Sequence, residues 1–404
     1  MTISLSESKQ PSRSVPSLST GLVLLLATAC GIAVANIYYA QPLVGPISAS
    51  LGLSTAAAGL IVTMTQIGYV LGLLFIVPLG DLVENRRLIA LVLGLCAVAL
   101  LAATLATRPI PFLIAMLSVG LCSVVVQVLI PFSAHLAPEE TRGRVVGTVT
   151  SGLMLGIMLS RPVASFITYL ASWKTVFALS TASTLGLALV LARALPRRQP
   201  PPGLSYVTLL QSMLRLALTT PVLRQRAAYQ FLLYGAFSLF WTTTPLFLAG
   251  PTFGFTQAGI AWFGLAGVAG AVAAPVAGTL ADRNLGRFAT GLGIVAVAIA
   301  FPLSHFGQPG SKTALGFLLA AAVLLDFGVS AALVVSQRTI FSLGPHLRAR
   351  LNGLFMSMFF IGGALGSGLG AWAYAQGGWT LASWLGIVPP LLALLLFTTE
   401  FKRG

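Results

Sequence analysis

The chain has eight acidic residues, and seven of them (Glu7, Asp81, Glu84, Glu139, Glu140, Asp282, Glu400) fall in polar stretches between long apolar runs. The eighth, Asp326, sits near the centre of FLLAAAVLLDFGVSAALVVSQR (Phe317 to Arg338). A carboxylate is costly in hydrocarbon and its neutral acid far less so, so an acid at that depth is a candidate proton carrier, with a hydrogen-bonded structural aspartate as the alternative. A second ionisable group, Arg161, interrupts GLMLGIMLSRPVASF. At 1.5 Å per residue it lies roughly 25 Å into its run, which allows two readings. It snorkels or pairs structurally, or it faces a cavity and meets a solute or Asp326. Polar and aromatic residues gather at two corresponding places: Asn36, Tyr39 and Gln41 ahead of Pro42, and Trp241 and Thr244 ahead of Pro245. Such a mixture suits a flat, weakly polar solute through stacking and hydrogen bonds, and paired prolines in matching helices point to a central site. An interfacial aromatic belt with a kink is the alternative; Asn36, Tyr39 and Pro42, three residues apart, share one helical face and favour the site. Gln127 and Tyr234 complete the candidate substrate contacts.

These groups must be positioned by membrane helices. Of 404 residues, 57% are hydrophobic and 8% charged, with mean hydropathy +0.94, too few charges to solvate a soluble protein of this size. Apolar runs near the ~20 residues needed to cross a bilayer recur along the chain, too long and continuous for barrel strands. The expected fold is an all-α integral membrane protein of twelve spans. Residues 1–19 read as a disordered cytoplasmic tail without the apolar core of a signal peptide. Residues 20–195 form a six-helix bundle, 196–222 a basic, Pro-rich linker, and 223–400 a second six-helix bundle. Lys and Arg concentrate in the loops on the side of the N-terminus, whereas the other side carries only Arg108, Lys174 and Lys312. Both termini are therefore expected in the cytoplasm. The formal net charge of +15 is spread singly and in pairs between apolar runs, which reads as topology information and excludes a nucleic-acid surface. Cys30, Cys96 and Cys122 lie inside apolar runs at no ligand spacing, so no metal or cofactor is expected. His135, His305 and His346 sit at span ends, and no catalytic grouping appears; an enzyme is not expected.

The two halves repeat. An offset of 206 residues pairs Arg142 with Arg348, Arg144 with Arg350, Gly147 with Gly353, Gly156 with Gly362 and Trp173 with Trp379. Parallel halves with a midplane site are the logic of alternating access. Under that offset the partner of Asp326 is Gly120, so the acid belongs to one half only.

The loop GTLADRNLGR after the eighth span matches the G-x-x-x-D-R-x-G-R loop of the major facilitator superfamily, and GDLVENRR after the second is a shortened copy. The Gly-rich fifth span resembles the antiporter motif of the drug:proton antiporter branch. ANIYYAQPLVGPIS, PEETRGRVVG, RARLNG and FIGGALGSGLG resemble the bacterial purine-nucleoside and sugar efflux group. The resemblance covers essentially the whole chain. It implies a gating latch from Gly80, Glu84, Arg86 and Arg87, and from Gly278, Asp282, Arg283 and Arg287; the alternative is that Arg86, Arg87, Arg283 and Arg287 only fix topology by meeting anionic lipid. Arg161 departs from the motif's usual Gly-Pro-x-x-Gly-Gly ending.

The expectation is a proton-coupled secondary transporter of the inner membrane that exports a small organic solute or drug, with Asp326 carrying the proton. It acts as a monomer among lipids, with protons and solute as its partners. Uptake by symport or facilitated diffusion, and a membrane sensor that transports nothing, are the competing readings. The solute's identity is not encoded in recognisable form.

Overall fold

The computed structural model describes residues 19–199, 205–268, 285–344 and 347–401. The proposed N-terminal tail, except for Ser19, and the loop residues Gly278, Asp282 and Arg283 lie outside them. Within them the fold is all-helical, since only a helix satisfies every backbone group of a lone segment in hydrocarbon. Serines start several helices by accepting a backbone N–H three residues on: Ser19 from Leu22, Ser172 from Thr175 and Ser311 from Ala314.

Ten helical segments among the described residues are long and apolar enough to cross a membrane. The first six spans are Thr20–Leu51, Thr55–Asp81, Asn85–Leu105, Pro109–Leu136, Arg142–Leu170 and Trp173–Ala194. The seventh is Pro221–Ala249, the ninth Gly286–Leu303 and the tenth Lys312–Phe341. The eighth starts as Gln257–Gly264 and tightens to a 3-10 turn over Leu265–Val268. The last helix, Arg348–Phe401, is 54 residues long, far more than one crossing needs. It breaks at Gly377 and Gly378, where Gly378 takes φ 61°, and supplies the eleventh and twelfth spans. The first span is also discontinuous. Its α-helix ends at Tyr38, a 3-10 turn covers Gln41–Leu43, and helix resumes over Val44–Leu51. Pro42 causes the break because it has no N–H to donate and its ring crowds the preceding turn.

The repeat of the sequence is a repeat of packing. In the first half the fifth span crosses the first with Gly152 and Gly156 on Ala27 and Gly31, and a Cβ at Gly31 would stand 2.8 Å from the Gly152 carbonyl oxygen. In the second half the eleventh crosses the seventh through Gly362 and Gly366 on Phe231 and Gly235, where a Cβ at Gly235 would stand 3.2 Å from the Gly362 oxygen. Lipid tails are as apolar as leucine, so close backbone approach supplies the association energy here.

Among the described residues the two bundles meet along several seams. In the second–eleventh seam Thr63 Oγ1 donates to the Ala364 carbonyl at 2.9 Å and Gln66 Nε2 to Ser238 Oγ on the seventh span at 3.2 Å. The fifth and eighth spans meet at Arg161–Pro162 and Gly264, the first and seventh at Tyr38 and Tyr234. The linker holds one more helix, Tyr206–Thr219, which touches both bundles. Tyr206 Oη donates to the Phe75 carbonyl at 2.9 Å, and Ser212 Oγ accepts from Arg350 Nη1 at 2.9 Å. Its Leu209 and Met213 are buried beneath it.

Replacing Gly366 by leucine forces the eleventh span off the Gly235 backbone, whereas Gly186 has nothing within 4 Å of its missing Cβ. Thermal unfolding in detergent should show Gly366→Leu destabilised by about 1–3 kcal/mol. Gly186→Leu should stay within about 0.5 kcal/mol of the parent.

Candidate functional site

Trp241, on the seventh span, is the centre of the site. Its indole N–H donates to Asp326 Oδ1 at 2.7 Å, while its ring face receives the guanidinium of Arg161, whose Cζ lies 4.4 Å from the ring centroid. Asp326 comes from midway along the tenth span and Arg161 from the fifth, so the tryptophan joins the two bundles. Arg161 and Asp326 are each only 4% exposed. They are not directly paired. The position of a Cβ on Gly267, in the turn ending the described part of the eighth span, is 2.9 Å from Asp326 Oδ2 and 3.0 Å from Arg161 Nη1. The two charges are therefore closer than those distances combined, yet beyond the 4 Å of an ion pair.

The surroundings explain how a buried guanidinium is tolerated. Arg161 Nε donates to Gln41 Oε1 at 2.9 Å, and the rings of Phe237 and Tyr38 stand 5.1 and 5.5 Å from its Cζ. A desolvated cation–π contact contributes about 2 kcal/mol, and here several rings share one cation. One donor is left over: Arg161 Nη2 is buried with no hydrogen-bond partner. Leaving such a group unmet costs about 1–3 kcal/mol or more for a charged one, which marks the position for a ligand acceptor. Beside it runs a narrow, nearly closed cleft walled by Pro42, Trp241, Thr244, Leu248, Ile260 and Phe263.

Gln41, Arg161, Trp241, Thr244 and Asp326 thus come together as the sequence suggested. Tyr234 lies next to them: its Oη donates to Tyr38 Oη at 3.4 Å, and its ring stacks on Phe359 with centroids 3.6 Å apart. Three residues fall elsewhere. Asn36 points into the first bundle, accepting from Ser180 Oγ and donating to Thr184 Oγ1 at 3.4 Å and towards Cys96 Sγ at 3.8 Å. Tyr39 lines the groove between the first and fifth spans. Gln127 bridges the bundles nearer the Arg-rich end, donating to Tyr69 Oη at 3.1 Å and accepting from Asn352 Nδ2 at 3.2 Å. The three-residue spacing of Asn36, Tyr39 and Pro42 is not a shared face because the helix ends before Pro42 and the turn reorients the chain. The residues presented to the site are Tyr38 and Gln41. Phe237 and Gly267 were also missed. Phe237 was findable, since Tyr234, Phe237, Trp241 and Thr244 follow the helical period on one face.

Of the expected latch, Glu84 pairs within its own turn, Oε2 to Arg87 Nε at 3.3 Å, with Arg87 largely exposed. A local exposed pair of this kind holds little. Arg86 Nη1 donates to the Leu195 carbonyl at 3.3 Å, and the Gly80 carbonyl accepts from Asn85 Nδ2 at 2.8 Å, both inside the first bundle. Arg287 opens the ninth span. Near this end a hydrogen bond from bundle to bundle is Asn352 Nδ2 to Gln127 Oε1.

The Major Facilitator Superfamily profile matches residues 23–316. The chain is 38% identical over 386 residues to YgaY, an uncharacterized transporter of Escherichia coli O157:H7, covering 96% of this chain and 97% of that one. It is 32% identical over 378 residues to SCO4007, a probable transporter of Streptomyces coelicolor, covering 92% and 86%. Among solved structures, an aspartate-to-alanine variant of the nucleoside transporter NupG superposes with TM-score 0.76 at 15% identity, over 94% of this chain and all of that one. A bacterial homologue of the lysosomal transporter Spinster, inward-facing and unoccupied, superposes with TM-score 0.73 at 15% identity, over 94% and 96%. At such identities the structures speak to the fold alone.

Asn36→Leu strands the hydroxyls of Ser180 and Thr184 inside the first bundle. It should cost about 1–3 kcal/mol of stability by thermal unfolding while leaving the KM of the surviving protein within about twofold of the parent. A KM raised tenfold or more in folded protein would return Asn36 to the site.

Proposed function

Because the chain belongs to the Major Facilitator Superfamily, a family of multi-pass membrane transporters, we propose that it is a proton-coupled exporter of a small organic solute, with Asp326 as the proton carrier. The observation that carries this reading is the buried Asp326 carboxyl, bonded to Trp241 at the junction of the two bundles. Its protonation changes the charge at a junction that both halves share, so it biases how they close. In the cycle we infer, the outward-facing site takes up a proton, the neutral acid favours the cytoplasm-facing state, the proton leaves there, and solute binds the charged site from the cytoplasm in its place. The Gly-rich fifth span, like that of the drug:proton antiporter branch, supports export. The density of Lys and Arg at one end supports cytoplasmic termini, and placement in a bacterial inner membrane as a monomer follows the same reading.

Proton-linked uptake is a second reading with one observation in its favour. An anion on Arg161 together with a neutral Asp326 leaves the site with the same net charge as the empty, ionised pair. The two readings differ in sign.

Proteoliposomes report that sign. When a transported solute from a broad panel is added outside, exchange should make the lumen more alkaline, and symport would make it more acidic. Asp326→Asn should reduce the pH response at least tenfold in folded protein. Undiminished proton-driven transport by that variant would sink the proton-carrier assignment.

A further inference from the structure

We propose that the solute is a small zwitterion with an apolar body, its carboxylate held by Arg161 and its ammonium by Asp326. Only the coupling step rests on the reading of Asp326 as proton carrier; the recognition rests on the geometry. Two opposite charges that could neutralise each other are instead held apart. Trp241 occupies the indole N–H on Asp326 and the ring face on Arg161, and Gly267 contributes no side chain to the space between Oδ2 and Nη1. Gln41 takes the Nε of Arg161, so the edge left for a ligand is the one formed by the two terminal nitrogens, of which Nη2 has no partner. That edge matches the two oxygens of a carboxylate.

Single-charge ligands fit less well. A lone carboxylate on Arg161 meets the ionised Asp326, and a lone ammonium on Asp326 meets Arg161. Like charges at roughly 6 Å and an effective dielectric of about 20 lose on the order of 100-fold in affinity. A zwitterion turns both repulsions into attractions. The wall offered to its body is apolar: Pro42, Leu248, Ile260 and Phe263 line the nearly closed cleft beside Arg161, with the Thr244 hydroxyl already donating to the Phe240 carbonyl at 2.7 Å. The groups around the carboxylate are accounted for. Arg161 faces Asp326 from the fifth span, Trp241 from the seventh, and the neutral phenols of Tyr38 and Tyr234 lie next to the guanidinium from the first and seventh. Among the described residues, Arg161 is the charged side chain that acts on Asp326. Proton and ammonium therefore compete for the same carboxylate, and one proton exchanges for one zwitterion.

The test uses the purified full chain and three probes of equal bulk: L-leucine, its amine counterpart 3-methylbutylamine, and its acid counterpart 4-methylpentanoate. Leucine should bind at least about 30-fold tighter than either, the loss expected when a desolvated charge pair is broken. Arg161→Gln should erase the preference for leucine over the amine. Gly267→Ala, which places a methyl between the two charges, should weaken leucine at least tenfold while thermal unfolding shows the protein folded. The proposal is overturned if the amine or the acid binds as tightly as leucine, if none of the three binds folded parent protein, or if Arg161→Gln keeps the preference. Selective leucine binding and transport without a lumen pH change would remove the proton reading and leave the zwitterion site. A proton-linked response to other solutes without leucine selectivity would do the reverse.

Discussion

Two opposite charges buried between helical bundles would ordinarily collapse onto each other, and the indole of Trp241 is what keeps Arg161 and Asp326 apart. Much of the centre serves that separation. Gln41 fixes the guanidinium from the first span, Phe237 and Tyr38 surround it with ring faces, and Gly267 leaves open the space that any side chain would fill. The cost of burying charge is offset in pieces, by a charge-assisted hydrogen bond, by cation–π contacts and by proximity of the opposite charge. The pieces come from the first, seventh and tenth spans, so the arrangement holds only when both bundles are in register.

The scaffold is symmetric and the chemistry is not. The glycine crossings of the first and fifth spans recur in the seventh and eleventh, since both halves solve the same packing problem with the same small residues. Under the 206-residue offset, the counterpart of Asp326 is Gly120, which lies so close to the backbone at Thr65 that no side chain fits. The counterpart of Arg161 is Ser367, occupied in the second–eleventh seam by hydrogen bonds to Thr63 and the Ala364 carbonyl. One charge thus comes from each half, and neither has a charged twin. At the Arg-rich end Arg86 binds within its own bundle, Arg350 reaches the linker helix, and an amide pair, Gln127 with Asn352, joins the bundles.

Composition and run length alone determined the all-helical membrane fold, because a chain with 8% charged residues has no other way to satisfy its backbone in lipid. The repeat was legible as spacing, and so was the unusual position of Asp326 and Arg161, since a charge in an apolar run stands out without any knowledge of its neighbours. Trp241, Gln41 and Thr244 were legible through the prolines that follow them. What the residues do to one another was decided by tertiary structure. Whether Arg161 reaches outward or inward depends on the rings of other spans, and no periodicity within the fifth span encodes them. Asn36 turns to the hydroxyls of Ser180 and Thr184 and Tyr39 to the groove beside the fifth span, directions set by neighbours on other spans. Gly267 could not have been picked out from 42 glycines, for its role is the absence of atoms at a point fixed by the fifth, seventh and tenth spans together.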